Sequence, residues 1–309
     1  MSVMNKPLVS IGLPVYNGER YIESALDSIL EQSYSNIEII VCDNASTDRT
    51  QDILKKYMSK DSRISYFRHD ENYGAAKNYN STFEKSNGKY FKWAAHDDSL
   101  DVDYISRCVC ELENDADLVL VQPRTGQIDQ FGEQTGHEYV HSADVIKSCS
   151  VGSKLYRTLT IDKGSWTRIF GVIRTDVLKD TPLIDNYIGS DLTLLGELGL
   201  RGKVRDIDDV LFWRRDHNNT STTGQFTSRR KRWVWFDTSH NPRISLPEWR
   251  LNLEMYKSIF RQNISSGTKA RCCSVLAQRM WKKKRLLVKD LYFALVDFTA
   301  LYKKKTKEI

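Results

Sequence analysis

Asp97 and Asp98 stand side by side just after the apolar run Tyr90–Ala94. Two hard carboxylates at the mouth of a strand can ligate Mg2+ or Mn2+ while the ion also holds a diphosphate. A cation in that place is a Lewis acid, drawing off the charge that gathers on a departing phosphate. Asp43 closes a second apolar run, Ile37–Cys42, and Asp191 follows Gly189-Ser190 at the head of a helical pattern. A helix dipole favours the ionised carboxylate there, the form a general base must have. In Trp213-Arg-Arg-Asp-His217, strand alternation turns Arg215 and His217 to one side. Each feature alone has a structural reading as well. The aspartate pair and Asp191 serve equally as helix caps, Asp43 as an Asx-turn residue, and the Arg215 segment as a surface salt-bridge cluster. His96, beside the carboxylates, reads as a site residue or as an ordinary hydrogen-bonding loop histidine. What joins Asp43 and Asp97-Asp98 is position, because loops at the carboxyl ends of strands line the ligand crevice of an open α/β sheet.

The elements that must place these loops follow from apolar periodicity. Leu8–Leu13 reads as a buried parallel strand closed by Pro14, and Asn17 as the cap of a helix carrying Tyr21, Ile22, Ala25, Leu26, Ile29 and Leu30. Ile37–Cys42 is the next strand, Ser46 to Asp48 start a helix through Leu54 and Tyr57, and Ile64–Arg68 is the third strand. A polar helix over Gly74–Ser86 leads to the strand Tyr90–Ala94, then a helix from about Val102 to Leu112 and a strand Leu118–Val121. Residues 123–165 are polar and weakly periodic and yield no assignment. Order returns at Trp166–Ile173, with a short helix at Thr175–Lys179, a helix opening at Gly189 and ending at Gly202, and a last strand Val210–His217.

With 309 residues, 40% apolar and 28% charged, the chain is long enough for a sizeable core. Six cysteines without a Cys-x-x-Cys pair read as reduced thiols, and the first residues lack a basic start followed by an apolar run. A cytoplasmic protein is expected. The charge is uneven: residues 226–309 carry 20 Lys/Arg and 6 Asp/Glu, against a net of −8 in the rest of a chain whose total is +6. An acidic body with a basic tail implies an anionic surface met at one end. Leu286–Tyr302, flanked by Lys282 to Arg285 and Lys303 to Lys305, is too short for a comfortable membrane span and suits a helix lying in the interface or packed on the body. No nucleic-acid recognition motif accompanies the basic runs.

Four segments in order, Val9–Glu19, Asp43-Asn-Ala-Ser-Thr-Asp48, Asn72 through Lys77-Asn78, and Gly88-Lys-Tyr90 into Asp97-Asp98, resemble the family 2 inverting glycosyltransferases of GT-A fold. The likeness extends over about residues 7–220. It implies a three-layer α/β/α sheet domain, mostly parallel, over residues 1–225, with a nucleotide-sugar half at 7–121 and an acceptor half at 122–225. A basic helical extension, 226–309, follows. It further implies that Pro14, Tyr16, Glu19 and Asp43 surround base and ribose, that Lys77 belongs to the donor pocket, and that Asp97 approaches the ribose or sugar. Asp98 would bind the metal, Arg215 the phosphates, His217 the metal as well, and Asp191 would act as base. The family's commoner Asp-x-Asp is here Ala95-His96-Asp97, followed by Asp98, so one contact of that form is missing.

The expectation is a Mg2+- or Mn2+-dependent enzyme moving sugar from a nucleotide diphosphate, uridine or another pyrimidine, to a hydroxyl of a glycan or lipid-linked acceptor. Cell-envelope polysaccharide assembly is the implied setting, on the inner face of the membrane. An NAD-type oxidoreductase is disfavoured, because Gly12-Leu-Pro14 puts proline where Gly-x-Gly-x-x-Gly requires glycine. The alternative is a catalytically weak nucleotide-sugar binder or a membrane-surface partner in a glycan-assembly complex.

Overall fold

The computed structural model describes residues 6–139, 152–161, 164–217, 233, 235, 236, 238 and 246–305, the last six by backbone alone. Its first half alternates β1 (Val9–Val15), α1 (Ile22–Leu30), β2 (Ile37–Asp43), α2 (Thr50–Met58), β3 (Ile64–Arg68), α3 (Ala75–Glu84) and β4 (Tyr90–Trp93). Then come β5 (Ser99–Leu100), α4 (Tyr104–Asn114), β6 (Leu118–Ile128), β7 (Gln134–Tyr139) and α5 (Ser153–Ile161). A 3-10 turn at Ser165–Phe170 precedes β8 (Val172–Arg174), α6 (Thr175–Lys179), α7 (Ser190–Arg201) and β9 (Lys203–Arg215). The tail forms α8 (Pro247–Arg261), α9 (Ser266–Lys282) and α10 (Lys284–Lys305).

One nine-stranded sheet runs in the order β3-β2-β1-β4-β8-β6-β9-β5, with β7 beside β6. Strands β1 to β4, β6 and β9 share one direction, and only β5, β7 and β8 oppose it. Strand β1 is buried throughout because helices cover both faces. Val9, Ile11, Leu13 and Val15 alternate onto α1, α2 and α4, while Phe91 and Trp93 point the other way onto α3, α5 and α7. The three-layer α/β/α expectation holds. At Gly12 a side chain would collide with Thr82 Oγ1 and the Phe91 ring, so α3 lies close on the sheet only because that position is glycine.

Several sequence expectations need correction. Pro14 does not close β1 but lies within it, opposite Cys42. Its position points toward β4, whose pairing with β1 ends at Gly12, so the missing N–H costs no ladder bond. Asn17 is not a helix cap. It takes a positive φ of 51°, and its Oδ1 accepts the Thr47 N–H at 2.8 Å. Helix α2 begins at Thr50, since Asp48 Oδ1 accepts the Thr50 N–H at 3.0 Å. Strand β6 continues to Ile128 and β9 starts at Lys203, and their long parallel pairing was masked by the charged residues along both. Of the unassigned stretch 123–165, the described parts hold the end of β6, β7 and α5.

Lys92 is the least expected core residue. It is fully buried on β4, with Nζ donating to the Trp93 and Phe170 carbonyls beneath the Tyr104 ring, 4.4 Å from its centroid. Burial pushes its pKa down to about 7.

Helices α8 and α9 share a third core with α5 and α7, where Leu251, Met255, Ile259, Cys272 and Leu276 meet Tyr156, Tyr187 and Leu200. Buried Glu197 of α7 accepts from Arg261 Nη2 at 2.8 Å and Gln262 Nε2 at 3.1 Å, which reinforces that joint. The described tail therefore packs as part of the body as far as α9.

Two outcomes are expected. Met255 is fully buried, so Met255→Ala should lower stability by about 2–5 kcal/mol and move one cooperative urea transition. A separate early transition beside an unmoved main one would contradict a shared core. For Lys92, the unfolded chain holds the proton up to about pH 10.4 and the folded one only to about 7. Between those values unfolding takes up a proton, so this side chain makes stability rise with pH. Urea titrations of Lys92→Met at neutral and alkaline pH should show a smaller rise than the parent, and equal slopes would refute the depressed pKa.

Candidate active site

The loop after β4 and the end of β9 are tied together by three contacts. Buried Asp98 accepts the Arg215 N–H on Oδ1 at 2.9 Å, Arg215 Nε donates to the Asp97 carbonyl at 2.8 Å, and His217 Nε2 lies 3.0 Å from Asp97 Oδ2. The structure thus brings Asp97, Asp98, Arg215 and His217 to one turn, although His217 lies just past the strand that was expected to carry it. Asp98 is not a solvated loop carboxylate. Burial, together with the charge on Asp97, pushes its pKa up to about 8, against the opposing pull of the Arg215 N–H, Arg214 and Lys92. Burial also acts upward on Asp97, but His96 and His217 outweigh it and hold that carboxyl below its usual range. His96 packs against Gly18, where an added Cβ would come within 2.8 Å of its ring.

Arg215 is largely buried, and its guanidinium donates to the Asp129 carbonyl and Ser24 Oγ, both at 3.2 Å, besides the Asp97 carbonyl. It braces the turn from behind. Alternation turns Arg214 to the opposite face of β9. Arg214 is half-buried, and its guanidinium lies 5.0 Å from the Trp166 ring centroid and 5.5 Å from that of Tyr139, donating also to the Tyr139 hydroxyl. Sequence reasoning passed over Arg214, Trp166 and Tyr139, since nothing in their spacing foretold that β7 and the 3-10 turn converge on β9.

Asp191 occupies the first turn of α7, but it is not the cap. That position is Gly189, at φ 89°, with no side-chain cap bond. Helix α8 sets the geometry of this entry: Leu251 Cδ2 would stand 2.9 Å from a Cβ on Gly189, and Arg250 Nη2 bonds Asn186 Oδ1. Tyr79 of α3 has its phenol pKa raised by burial first, and then by the charges of Asp97, Asp98 and Asp191. An aromatic within an otherwise polar helical stretch was the only sequence sign of it.

The loops after β1 and β2 close the other side. Asp43 is fully buried, with Oδ1 accepting the Ser46 N–H at 2.8 Å and Oδ2 accepting from the Tyr66 hydroxyl and Arg68 Nη1, each at 2.8 Å. Glu19 Oε2 accepts the Arg49 N–H at 3.0 Å, and Tyr16 beside it is 41% exposed. Asn44 Nδ2 donates to Asn72 Oδ1 at 2.8 Å, drawing in the loop that opens α3, where Lys77 Nζ sits 3.5 Å from the Tyr73 ring centroid. Pro14, Tyr16, Glu19, Asp43 and Lys77 therefore all lie on loops, or at their edges, at the same end of the sheet. Among the described residues, no group of three or more His, Cys, Asp or Glu side chains is placed to hold a metal ion.

The family model for Glycosyl transferase family 2 matches residues 10–179, more than half of the chain, and stops before Asp191, Arg215 and His217. Glycosyltransferase GlyA of Streptococcus pneumoniae serotype 4 is 30% identical over 205 residues, 61% of this chain and 28% of that protein. A putative teichuronic acid biosynthesis glycosyltransferase of Bacillus subtilis, TuaG, is 40% identical over 102 residues, 33% of this chain and 40% of that protein. The chain spans well under half the length of these relatives. Among solved structures, S. aureus TarS 1–349 in complex with UDP-GlcNAc superposes with a TM-score of 0.67 at 15% identity, over 92% of this chain and 79% of that one. Mannosyltransferase PcManGT from Pyrobaculum calidifontis, in complex with GDP-Man and Mn2+, gives 0.56 at 15% identity over 98% and 81%. At such identities the likeness is one of fold, and it is the GT-A fold expected from the sequence. By the extent of the family match, and with that fold beneath its loops, the chain belongs to glycosyl transferase family 2.

Proposed function

We propose that the protein transfers a sugar from a nucleoside diphosphate to a hydroxyl of a glycan or lipid-linked acceptor in a single inverting displacement. The observation that carries this reading is the turn in which Asp97 and Asp98 are tied to Arg215 and His217, with Asp191 in the first turn of α7. Asp191 takes the proton of the acceptor hydroxyl. As that oxygen bonds to the anomeric carbon, the bond from carbon to the diphosphate oxygen breaks, and the nucleoside diphosphate leaves with the electron pair. Arg215 holds the turn in shape, and Arg214, steadied by Tyr139 and Trp166, is the cation we place beside the departing phosphates. Asp43, with Tyr66 and Arg68, forms the floor of the base pocket, and Pro14, Tyr16, Glu19 and Lys77 form its walls.

Mg2+ or Mn2+ suits this donor set. Asp97 and Asp98 would hold the ion together with oxygens of the donor's diphosphate, with His217 bonded beside Asp97, and a cation would offset the charge that burial makes costly on Asp98. When bound, the ion supplies Lewis-acid stabilisation of the leaving diphosphate. UDP-sugars are our choice of donor, by likeness to the TarS complex, and cell-envelope polysaccharide assembly at the cytoplasmic face of the membrane is our choice of setting, by likeness to TuaG.

Asp98→Asn keeps the shape of the side chain, so the fold should persist while Mn2+ no longer strengthens UDP binding by calorimetry. Undiminished metal dependence would remove Asp98 from the metal site. Asp191→Asn should leave UDP binding intact and lower transfer by roughly 10² or more, the scale of losing a general base. Full turnover at saturating acceptor would leave Asp191 without a catalytic role.

A further inference from the structure

Helix α10 extends from the body with a broad apolar face uncovered. Among the described residues it is held along one side, where Leu287 is buried, Asp290 Oδ2 accepts the Glu248 N–H at 2.7 Å and Trp249 Nε1 donates to the Leu287 carbonyl at 3.1 Å. Away from that contact, Val288, Leu291, Tyr292 and Leu295 are exposed, and Trp281, just before the helix, is 71% exposed. Helical periodicity gathers the four on α10 into one sector. Asp290 faces the body, and Asp297 falls on the side away from Leu295. Around the near end of the sector, Lys282, Lys284, Arg285 and Lys289 are all exposed, with Lys284 Nζ 4.1 Å from the Trp281 ring centroid.

An exposed apolar surface of this kind marks an interaction site. No helix among the described residues is long and apolar enough to cross a membrane. Large apolar and aromatic side chains ringed by cations, with no acid in the sector, complement an anionic lipid surface: the rings and leucines enter among the acyl chains while the cations meet phosphates. A second copy of the chain would set a basic rim against a basic rim.

We propose that α10 docks the protein on an anionic lipid surface and couples the Asp191 side of the site to it. The coupling follows from the contacts below the helix. Through Asp290 and Leu287, α10 holds the first turn of α8, and α8 in turn meets the loop before α7 through Arg250 on Asn186 and Leu251 on Gly189. The docking helix is therefore one helix away from the entry to α7. The value of that proximity rests on the function proposed above, since a lipid-linked hydroxyl would reach Asp191 from the membrane side.

The test is cosedimentation of the full chain with vesicles of phosphatidylcholine alone or mixed with phosphatidylglycerol, at low and high salt, with hydrolysis of a UDP-sugar followed in parallel. The parent chain should bind the anionic vesicles and release at high salt. Each basic side chain near an anionic leaflet is worth about fivefold in affinity, so Lys284→Glu with Arg285→Glu should weaken binding about 25-fold or more. Leu291→Asn with Leu295→Asn should do likewise, and neither pair should change the melting temperature or donor hydrolysis, because the side chains are exposed. Failure of the parent to bind anionic vesicles, or equal binding by the variants, would overturn the proposal. So would variants that dissolve a dimer and leave vesicle binding intact, since the face would then belong to a second copy. Vesicle binding without hydrolysis of any UDP-sugar would count against the proposed function and leave the docking helix standing.

Discussion

The hydrogen bond from the Arg215 N–H to Asp98 is the contact on which the site depends. Strands β4 and β9 are not neighbours, since β8 and β6 lie between them in the sheet. The chain leaving β4 must therefore cross the sheet end to meet β9, and Asp98 makes that crossing with a buried carboxylate. Burying a charge is costly unless it is bonded, so the bond fixes the turn and offsets part of the cost of ionising Asp98 there. The guanidinium of Arg215 repeats the constraint from behind, joining the turn to α1 and to the β6–β7 hairpin. The strands β1 to β4 are thus locked to the part of the sheet built by β6 and β9.

The tail has a related task. Through Leu251 and Arg250, α8 sets the loop that opens α7, so the carboxylate assigned as base depends on residues far along the chain. This fits a shared core better than an appended domain. A catalytic group held within a few tenths of an ångström needs support of this kind from the shell around it.

Much of this was legible in the sequence. The βαβ rhythm, the placing of Asp43 and Asp97-Asp98 at strand ends, and the short helix Thr175–Lys179 were all readable, because apolar periodicity and loop position are local properties. Where tertiary pairing decides, the reading failed. Pro14 looked like a strand end because proline lacks an N–H, yet β4 stops short of it and no bond is lost. Asn17 looked like a cap because of its type, yet its side chain is engaged by Thr47 across the site. The end of β6 and the start of β9 were missed because residues such as Arg124, Arg205 and Asp208 break the apolar pattern of strands whose pairing is nonetheless long. Arg214 and Trp166 left no usable sign, since only the fold brings the 3-10 turn against β9.

The central claim is a single displacement at the anomeric carbon by an acceptor activated at Asp191. Proton NMR of the first-formed product, from an α-linked UDP-sugar in the presence of Mn2+, tests it most directly. The account predicts a β-configured sugar before any mutarotation, formed only when the metal is present. An α-configured first product would mean retention through a different mechanism, and would contradict the roles given to Asp191 and the Asp97–Asp98 turn.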